Sequence, residues 1–519
     1  MQENLIMPFT KKIAFLFCFA MIGVNVSAQF TITVNADSVI NKMKGGMGAT
    51  FYPMNDSIPI IDGVSYGGSA WGGVPDSKSD VAWQQIYKHL DWLGLDWCRV
   101  EIERRLFEPE QANFTWNSKE MLNLYRFLDY CQEHKIDVFL QERYPNVDWL
   151  TPKSWQKNAV LKVQAAPTNI TAWANGMVAL MDYLINKQQY SCIKYLSIVN
   201  EPEASWSWWK QYPDTTSVSI TPALALVRQK LDSANIRIPL SGPDWSIDIL
   251  GGYRKLDFNK SVGAYDLHSY NAKPDWWRGS FKYPLATMRL NERIFKPYID
   301  TAHAEGKPFF LTEFGSFYQG ISQTSAMPTD YYSVLKDVQM VVRFSNFGVD
   351  GFNKWSLINR GDLDGQWQMI NTWDTATHTI LPSITPHKNQ YYLYGLLTRL
   401  TPKYATVLYT KVGYAVADNQ QRVYATTYKS SKNNYSIVIV NDCDKVFTGN
   451  LDLSKAFIGK IIYKYQITEA DKDKENVTIQ PTIFSNLIGN LHPLIIAPNS
   501  VLILSTYHLL PNDKGIVVD

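Results

Sequence analysis

The amino-acid sequence predicts an α/β fold: a closed (β/α)8 barrel, or TIM barrel, with an accessory antiparallel β-sandwich. Short apolar runs alternate with amphipathic segments of helical period between about residues 40 and 400. This alternation indicates parallel strands joined by crossover helices. Beyond residue 400, apolar residues recur at every second position between polar turns, which is typical of antiparallel strands. At 519 residues and 45% hydrophobic content, the chain can build both domains.

Eight apolar runs are the predicted barrel strands. They comprise residues 45–52, 95–102, 136–141, 193–200, 238–243, 262–270, 308–314 and 349–357. Amphipathic helices are predicted at residues 81–93, 119–134, 172–187, 222–234, 285–306, 331–348 and 388–400. An open doubly wound sheet is the rival topology, but it would bring a glycine-rich nucleotide turn directly before a helix. The glycines of "GGMGATFY" lie inside the first strand and do not lead into a helix, so the barrel is favoured.

The chain divides into three predicted parts. Residues 1–28 have the form of an export signal, because two lysines precede an apolar run and "VSA" before Gln29 resembles a cleavage site. The barrel is predicted over residues 29–400 and the sandwich over residues 401–519, with "FTITVNADSVI" near Gln29 as a candidate further strand of the sandwich. No later segment offers about 18 uninterrupted apolar residues. We therefore expect a secreted or periplasmic protein without stable membrane insertion after signal cleavage.

Charge and cysteine content exclude several classes of function. The 50 basic and 48 acidic residues give a net charge of +2, which argues against a nucleic-acid partner. The cysteines beyond the signal lack the spacing of a zinc site, and we expect buried thiols, with one disulfide as the alternative. They are Cys98, Cys131, Cys192 and Cys443. No metal or organic cofactor is implied. The 17 Trp, 30 Tyr and 23 Phe fit a protein that stacks aromatic rings on the flat apolar faces of sugars.

Two glutamates are predicted at the mouth of the barrel, where the carboxyl ends of the strands carry the chemistry. In "YLSIVNEPEASWSWW", Pro202 lacks the N–H that a central strand needs, so the fourth strand ends there and places Glu201 at the rim. Glu313 lies at the end of the seventh strand. Glycoside hydrolysis needs two carboxyl groups flanking one bond, one protonated and one ionised. The sequence therefore predicts a glycosidase.

Polar and aromatic residues at the other strand ends and in the loops are candidate substrate-binding residues. They are Arg99, Asn200, His268, Tyr270, Trp355, Trp206, Trp208 and Trp276. We expect Arg99 to keep Glu313 ionised and the asparagine to hold a sugar hydroxyl. His268 and Tyr270 would orient the nucleophile or tune the acid. Trp355 would form the floor under a pyranose ring, and the loop tryptophans would form the walls of the cleft.

This pattern resembles glycoside hydrolase clan A, whose signature is Asn-Glu-Pro after strand four and a glutamate after strand seven. Here these are "VNEP" at 199–202 and "LTEFG" at 311–315. The arginine of "CRVEI", the His-x-Tyr of "LHSY" and the tryptophan of "KWS" also match. The tail, from "QYYLYGLLTRLTPKYATVL" to "IAPNSVLILSTY", resembles the β-sandwich of families 30 and 39. The resemblance implies a retaining β-glycosidase acting on an oligo- or polysaccharide, with Glu201 as acid/base and Glu313 as nucleophile.

Structural explanations compete with these functional ones. Arg99 would serve equally as a structural partner of Glu101 or Glu103, and strand-end carboxylates are often only solvated. Glu142 and Arg143, after the third strand, would either contact substrate or pair with each other. His268, Tyr270 and Trp355 would serve as ordinary packing residues.

Other functions are also conceivable on the same barrel. A metal-dependent hydrolase would need several His and Asp residues at strand ends, and only His268 and Asp266 lie near one. A catalytically inactive glycan-binding protein would have no need of both glutamates. An arabinofuranosidase of the same clan is the nearest different activity.

Overall fold

The computed structural model describes residues 30–55, 72–202, 209–210, 218–245, 257–271, 284–316, 329–360, 367–414, 422–486 and 490–516. The strands up to the end of the barrel are β1 Phe30–Lys42, β2 Met47–Phe51, β3 Trp97–Glu103, β4 Asp137–Tyr144, β5 Ile193–Ser197, β6 Ser241–Trp245, β7 Ala264–Asn271, β8 Phe309–Ser316 and β9 Gly351–Lys354. The helices are α1 Asp80–Leu93, α2 Lys119–Glu133, α3 Ala159–Gln164, α4 Ile170–Met181, α5 Ile220–Ser233, α6 Pro284–Ala304, α7 Tyr331–Ser345 and α8 Gly395–Leu400. The later strands are β10 Ile370–Asp374, β11 Thr379–Pro386, β12 Thr406–Tyr414, β13 Val423–Lys429, β14 Tyr435–Asn441, β15 Phe447–Leu453, β16 Ile461–Ile467, β17 Thr482–Asn486, β18 Leu491–Ile496 and β19 Ser500–Ser505.

Within those ranges, strands β2 to β9 form a parallel eight-stranded sheet that closes on itself. The last strand returns to the first, with Met47 opposite Phe352. A parallel bridge between Leu196 and Leu240 joins β5 to β6. The predicted (β/α)8 barrel is confirmed, and the predicted strands differ from the observed ones only at their ends. The hairpin β10–β11 was not predicted, because its short strands follow β9 in what reads as a long loop.

The glycine-rich first strand of the barrel owes its composition to close packing. A Cβ atom added at Gly46 would lie 2.2 Å from a carboxylate oxygen of Asp96, and one added at Gly48 would lie 2.0 Å from the carbonyl oxygen of Trp97. Both distances are far below van der Waals contact, so only glycine permits this approach of β2 to β3. The glycines therefore serve the barrel wall.

Aromatic side chains fill the lower interior of the barrel. The buried cluster there contains Ala264 and the rings Trp97, Phe139 and Phe310, with Tyr195 packed against it. The ring centroids of Trp97 and Phe310 lie 4.5 Å apart. Because residues two apart on a strand face the same side, Arg99 on β3 and Gln141 on β4 occupy the next layer up. The polar residues of the barrel mouth thus rest on an aromatic floor.

The β-sandwich contains strands from both ends of the chain. In the part of the chain that the structure describes, nine strands form a sheet in the order β17-β16-β19-β14-β13-β12-β1-β15-β18. Strand β1 pairs antiparallel with β12 and parallel with β15, so the sheet is mixed at this strand. The strands after residue 400 pair antiparallel with one another, as predicted. Apolar residues from both halves of the sheet, such as Ile32, Leu451, Ile439 and Leu502, share one buried cluster. The two halves therefore face each other as the layers of a sandwich.

The sandwich packs directly on the barrel. Val438, Val440, Val501 and Ile503, on the face of β14 and β19 away from the sandwich core, belong to the same buried cluster as the barrel helices. The hydroxyls of Ser345 on α7 and Tyr428 on β13 lie 2.7 Å apart across this junction.

The state of the cysteines and the character of the helices were also predicted from sequence. The four cysteines beyond residue 28 are buried free thiols, as predicted: Cys98, Cys131, Cys192 and Cys443. None of the helices in the described ranges has both the length and the apolar character needed to span a bilayer. The proposed signal, residues 1–28, lies outside the described residues.

Candidate active site

The strand ends bring seven of the predicted site residues to one end of the barrel. These are Arg99 on β3, Asn200 and Glu201 after β5, His268 and Tyr270 on β7, Glu313 on β8 and Trp355 after β9. All of them are buried except Glu201, which is half-buried, and Tyr270. The other three predicted residues, Trp206, Trp208 and Trp276, lie outside the described residues.

A β-bulge turns Glu313 toward the barrel interior. Leu311 lies opposite Leu267, but the next pair along the strands is Glu313 with His268, so Thr312 has no partner on β7. An inserted residue of this kind re-aims the side chains that follow it. Both Thr312 and Glu313 therefore reach inward, the first to Asp244 (Oγ1 to Oδ1, 3.0 Å) and the second to Arg99. Regular alternation would have placed only one of the two inside.

The Glu313 carboxylate is surrounded by hydrogen-bond donors. Arg99 donates from Nη1 to Oε1, and the Tyr270 hydroxyl donates to Oε2 over 2.8 Å. His268 Nδ1 lies 3.4 Å from the same Oε2. A carboxylate that accepts hydrogen bonds at both oxygens is held in a fixed orientation.

Glu201 faces Glu313 in a different environment. Its backbone has φ of +41°, a left-handed conformation that is uncommon for a non-glycine residue and typical of functional sites. The N–H of Glu201 donates to the carbonyl of Asp244 over 3.0 Å. Its Oε1 lies 2.8 Å from His268 Nδ1. A carboxylate oxygen of Glu201 and one of Glu313 lie within 4.8 Å of each other, and the Glu201 side chain is the more exposed, at 12% against 5%.

Arg99 is the centre of a buried charge network. Besides Glu313, its guanidinium donates from Nη2 to Gln141 (2.5 Å), Asn200 (2.6 Å) and Asp244 (2.8 Å). Asn200 therefore uses its amide oxygen on the arginine, which leaves the NH2 group for contact with a sugar hydroxyl. Arg99 also pairs with Glu101. The arginine thus makes both the structural ion pair and the contact with Glu313 that the sequence offered as alternatives.

Buried charges shift the pKa values of the groups around this network. Burial alone would lower the pKa of His268, but the carboxylates of Glu313 and Asp244 outweigh it and raise that pKa well above its usual value. Burial would raise the pKa of Asp244, but Arg99 and His268 hold it below the ordinary aspartate value. For Asp266 the opposing effects of Ser241, the Asp244 N–H and His268 are weaker: burial and the charge of Asp244 raise its pKa to about 7. The pKa values of these two neighbouring aspartates therefore differ widely, so that Asp244 is ionised and Asp266 protonated at mildly acidic pH.

An aromatic and cationic wall flanks the two glutamates. The Tyr52 ring meets the Trp355 ring edge-on, with centroids 5.5 Å apart. The Arg143 guanidinium lies 5.4 Å from the Trp355 ring centroid and 3.4 Å from Glu101 Oε2. Burial raises the pKa of Glu101 to about 7, against the opposing charges of Arg99 and Arg143. Glu142 instead pairs with Arg104 (2.6 Å), so it does not form the predicted alternative pair with Arg143.

Several of these groups were missed from sequence: Asp244, Gln141, Tyr52 and Thr312. Asp244 directly follows the predicted end of the fifth strand, in "SGPDW", and the strand-end rule applied there would have found it. Gln141 ends the predicted third strand in the same way. Tyr52 likewise ends the predicted first strand, whereas Thr312 carries no distinct signal because it owes its inward position to the bulge.

Glu201, His268 and Glu313 have the spacing of a metal site, since each offers a ligand atom within 4.8 Å of the others. However, His268 meets carboxylates at both nitrogens, with Nδ1 toward Glu201 and Nε2 toward Asp244 at 3.1 Å. A protonated ring satisfies both contacts, whereas a metal-bound nitrogen must be deprotonated. The three side chains therefore form an acid–base cluster.

The chain is similar to known glycoside hydrolases in sequence and in fold. Residues 60–345 match the family described as cellulase (glycosyl hydrolase family 5). A family 30 subfamily 8 xylanase from Clostridium acetobutylicum has 15% identity and a TM-score of 0.58, with 92% of this chain and 99% of that chain covered. A family 51 α-L-arabinofuranosidase from Thermotoga petrophila RKU-1 has 13% identity and a TM-score of 0.61, with the same two coverages of 92% and 99%. An endo-β1,6-glucanase has 12% identity and a TM-score of 0.58, with 92% and 93% covered.

At such identities these solved structures show a shared fold alone. No curated protein sequence matches the chain. The family match extends over more than half of the chain and includes strands β3 to β8, both glutamates and Arg99. The predicted resemblance to clan A is thereby confirmed, and the partner of the site is a carbohydrate. The chain belongs to the cellulase family, glycosyl hydrolase family 5, and is a clan A glycoside hydrolase.

Proposed function

We propose that this protein is a retaining β-glycosidase that cleaves a β-linked oligo- or polysaccharide by double displacement. The observation that carries the proposal is the spacing of the two carboxylates, whose nearest oxygens lie within 4.8 Å. Retaining enzymes hold their carboxyl groups about 5–5.5 Å apart, whereas inverting enzymes leave about 6.5–9.5 Å for a water molecule. The observed spacing leaves no room for that water between the two groups.

Glu313 acts as the nucleophile and Glu201 as the acid/base. Arg99 and Tyr270 each donate to one oxygen of Glu313 and orient the carboxylate for attack on the anomeric carbon. Glu201 protonates the glycosidic oxygen as the bond to the anomeric carbon breaks and a glycosyl-enzyme ester forms on Glu313. Glu201 then removes a proton from the incoming water, which attacks the anomeric carbon and releases Glu313. His268 Nδ1, 2.8 Å from Glu201 Oε1, exchanges a hydrogen bond with Glu201 as that residue loses and regains its proton.

Trp355 forms the apolar platform of the sugar that is cleaved. Arg143 and Tyr52 fix its ring from two sides, and a fixed aromatic face next to a carboxylate pair suits the flat apolar face of a pyranose. The printed substrates of the structural neighbours include xylan and β1,6-glucan, which supports testing polymers first. The loops that carry Trp206, Trp208 and Trp276 are the proposed outer walls of the cleft.

A panel of β-linked polysaccharides tests the activity. Wild type, Glu313→Gln and Glu142→Gln should be incubated with glucans, xylans, mannans and galactans, together with an aryl arabinofuranoside, and the products sized by chromatography. Glu142 is the matched control, because it is a buried glutamate paired with Arg104 away from the site. Wild type and the control should release oligosaccharides, and Glu313→Gln should release none. Retention by a glycan column without hydrolysis by any variant would reduce the protein to a binding module.

Stereochemistry tests the mechanism separately. Proton NMR of the first product formed should show the same anomeric configuration as the substrate. An inverted first product would refute double displacement while leaving the hydrolase assignment intact. We also propose that the protein is exported. The mass of the protein recovered from the medium or periplasm should then equal that of a chain that begins at Gln29.

A further inference from the structure

Asp244, at the end of β6, touches both halves of the catalytic apparatus although it lies beneath it. Its side chain is fully buried. Oδ2 accepts from Arg99 Nη2 (2.8 Å) and from Gln141 Nε2. Oδ1 accepts from His268 Nε2 (3.1 Å) and from the hydroxyl of Thr312 (3.0 Å). Two oxygens thus serve four donors, which come from β3, β4, β7 and β8.

The backbone of Asp244 is held just as firmly. Its φ is +57°, a left-handed conformation that aspartate tolerates better than most residues. Its N–H donates to Asp266 Oδ1 over 2.6 Å, and its carbonyl accepts the N–H of Glu201 over 3.0 Å. The peptide unit that carries Glu201 is therefore anchored on Asp244.

We propose that Asp244 is a positioning residue that sets Glu201 and Glu313 together: it holds Glu313 through Arg99, and it holds Glu201 through His268 and through its own backbone carbonyl. This inference rests on the proposed function of the two glutamates. Asp244 itself does not reach the substrate, because its side chain is fully buried and both of its carboxylate oxygens already accept hydrogen bonds.

The chemistry of His268 follows from this arrangement. The groups that face its ring are Glu201 and Glu313 at Nδ1 and Asp244 at Nε2, with Arg99 behind Asp244 and Asp266 and Tyr270 on its own strand. With Nε2–H directed at an anion, Nδ1 shares one proton with Glu201. That proton is the one delivered to the leaving group. Removing the charge of Asp244 makes this proton easier to lose.

Asp244→Asn is the informative variant, because it keeps the shape and removes the charge. An amide has one acceptor oxygen in place of two, so it can serve His268 and Thr312 or Arg99 and Gln141, but not both pairs. We expect kcat to fall at least about 100-fold, an effect as large as the loss of one charge-stabilising hydrogen bond in an active site, with KM within about threefold. The basic limb of the pH profile of kcat/KM should move down by about one unit or more, since an opposite charge at this distance shifts a pKa by about 1–3 units.

A second measurement needs no substrate. Histidine side-chain NMR, with the His268 signal assigned by its absence in His268→Gln, should show that this ring titrates at a lower pH in Asp244→Asn than in wild type. Glu142→Gln, a buried carboxylate with its own arginine, is the control and should change neither the titration nor the pH profile.

The outcomes separate this inference from the proposed function. A drop in melting temperature with an unchanged histidine titration and an unchanged pH profile would overturn the positioning role. If wild type cleaves no glycan but the histidine titration still moves, the proposed function fails and the coupling of Asp244 to His268 stands.

Discussion

The Tyr270 hydroxyl donates a hydrogen bond of 2.8 Å to Oε2 of Glu313, while Arg99 donates to Oε1 of the same carboxylate. One donor is a cation deep in the barrel, and the other is a neutral hydroxyl at the mouth. The two donors engage different oxygens, so together they fix the orientation of the carboxylate that we propose as the nucleophile.

Tyr270→Phe should lower kcat by roughly 10- to 100-fold, because hydrogen bonds to charged groups are worth about 1.5–3 kcal/mol. KM should change little, since the hydroxyl contacts the nucleophile. Tyr265→Phe is a matched control on the same strand, where the hydroxyl donates to Glu305 over 2.9 Å outside the site. Steady-state kinetics of both variants decide the matter, and equal losses in the two would contradict the assignment.

Glu201→Ala should retain measurable turnover of aryl glycosides with good leaving groups, because such groups depart without protonation. Added azide should raise that rate by attacking the glycosyl-enzyme from the vacated side, and the product should be a β-glycosyl azide. Glu313→Ala, treated in the same way, should give an α-glycosyl azide, since azide then replaces the nucleophile. Product NMR reads both results. A β-azide from the Glu313 variant would reverse the two roles.

Asp266→Asn should change how stability depends on pH. Burial and the charge of Asp244 raise the pKa of Asp266 to about 7, so its proton is bound more tightly in the folded state than in the unfolded state. Wild type must therefore lose stability as pH rises from about 4 toward 7, on the order of 2–4 kcal/mol from this group. The asparagine has no such proton to lose. Between pH 5 and 8, the melting temperature of Asp266→Asn should therefore rise relative to that of wild type. Asp452→Asn, in the sandwich, should keep the wild-type slope.

Ile32→Asp should prevent correct assembly of the sandwich, whereas Thr33→Asp should be tolerated. Ile32 is fully buried in the sandwich core, and Thr33 is half-buried on the opposite face of β1. A buried unpaired carboxylate costs several kcal/mol, which a single domain does not withstand. Soluble yield and circular dichroism melting measure the difference. Similar behaviour of the two variants would mean that the alternation along β1 has been misassigned.

Much of this architecture could be predicted because it depends on short-range patterns. The alternation of strands and helices indicates the barrel, and a proline that ends a strand places Glu201 at the rim. Asp244 was missed because the strand-end rule was not applied past residue 243, although β6 continues to Trp245. The inward turn of Glu313 depends on the bulge at Thr312, which arises from the pairing of two strands and leaves no mark in either. The parallel partner of β1 lies hundreds of residues away, beyond the range of any local pattern.

The position of β1 also sets an order of events during synthesis. Phe30 finds its partners only at Tyr414 and Gly449, after every strand of the barrel has been made. Until then the amino-terminal strand exposes an apolar face and two unpaired edges, which are features that invite chaperones and proteases. A chain that stops short of β15 leaves one edge of β1 without its partner strand. The pairing of β1 is therefore complete only after both β12 and β15 have been synthesised.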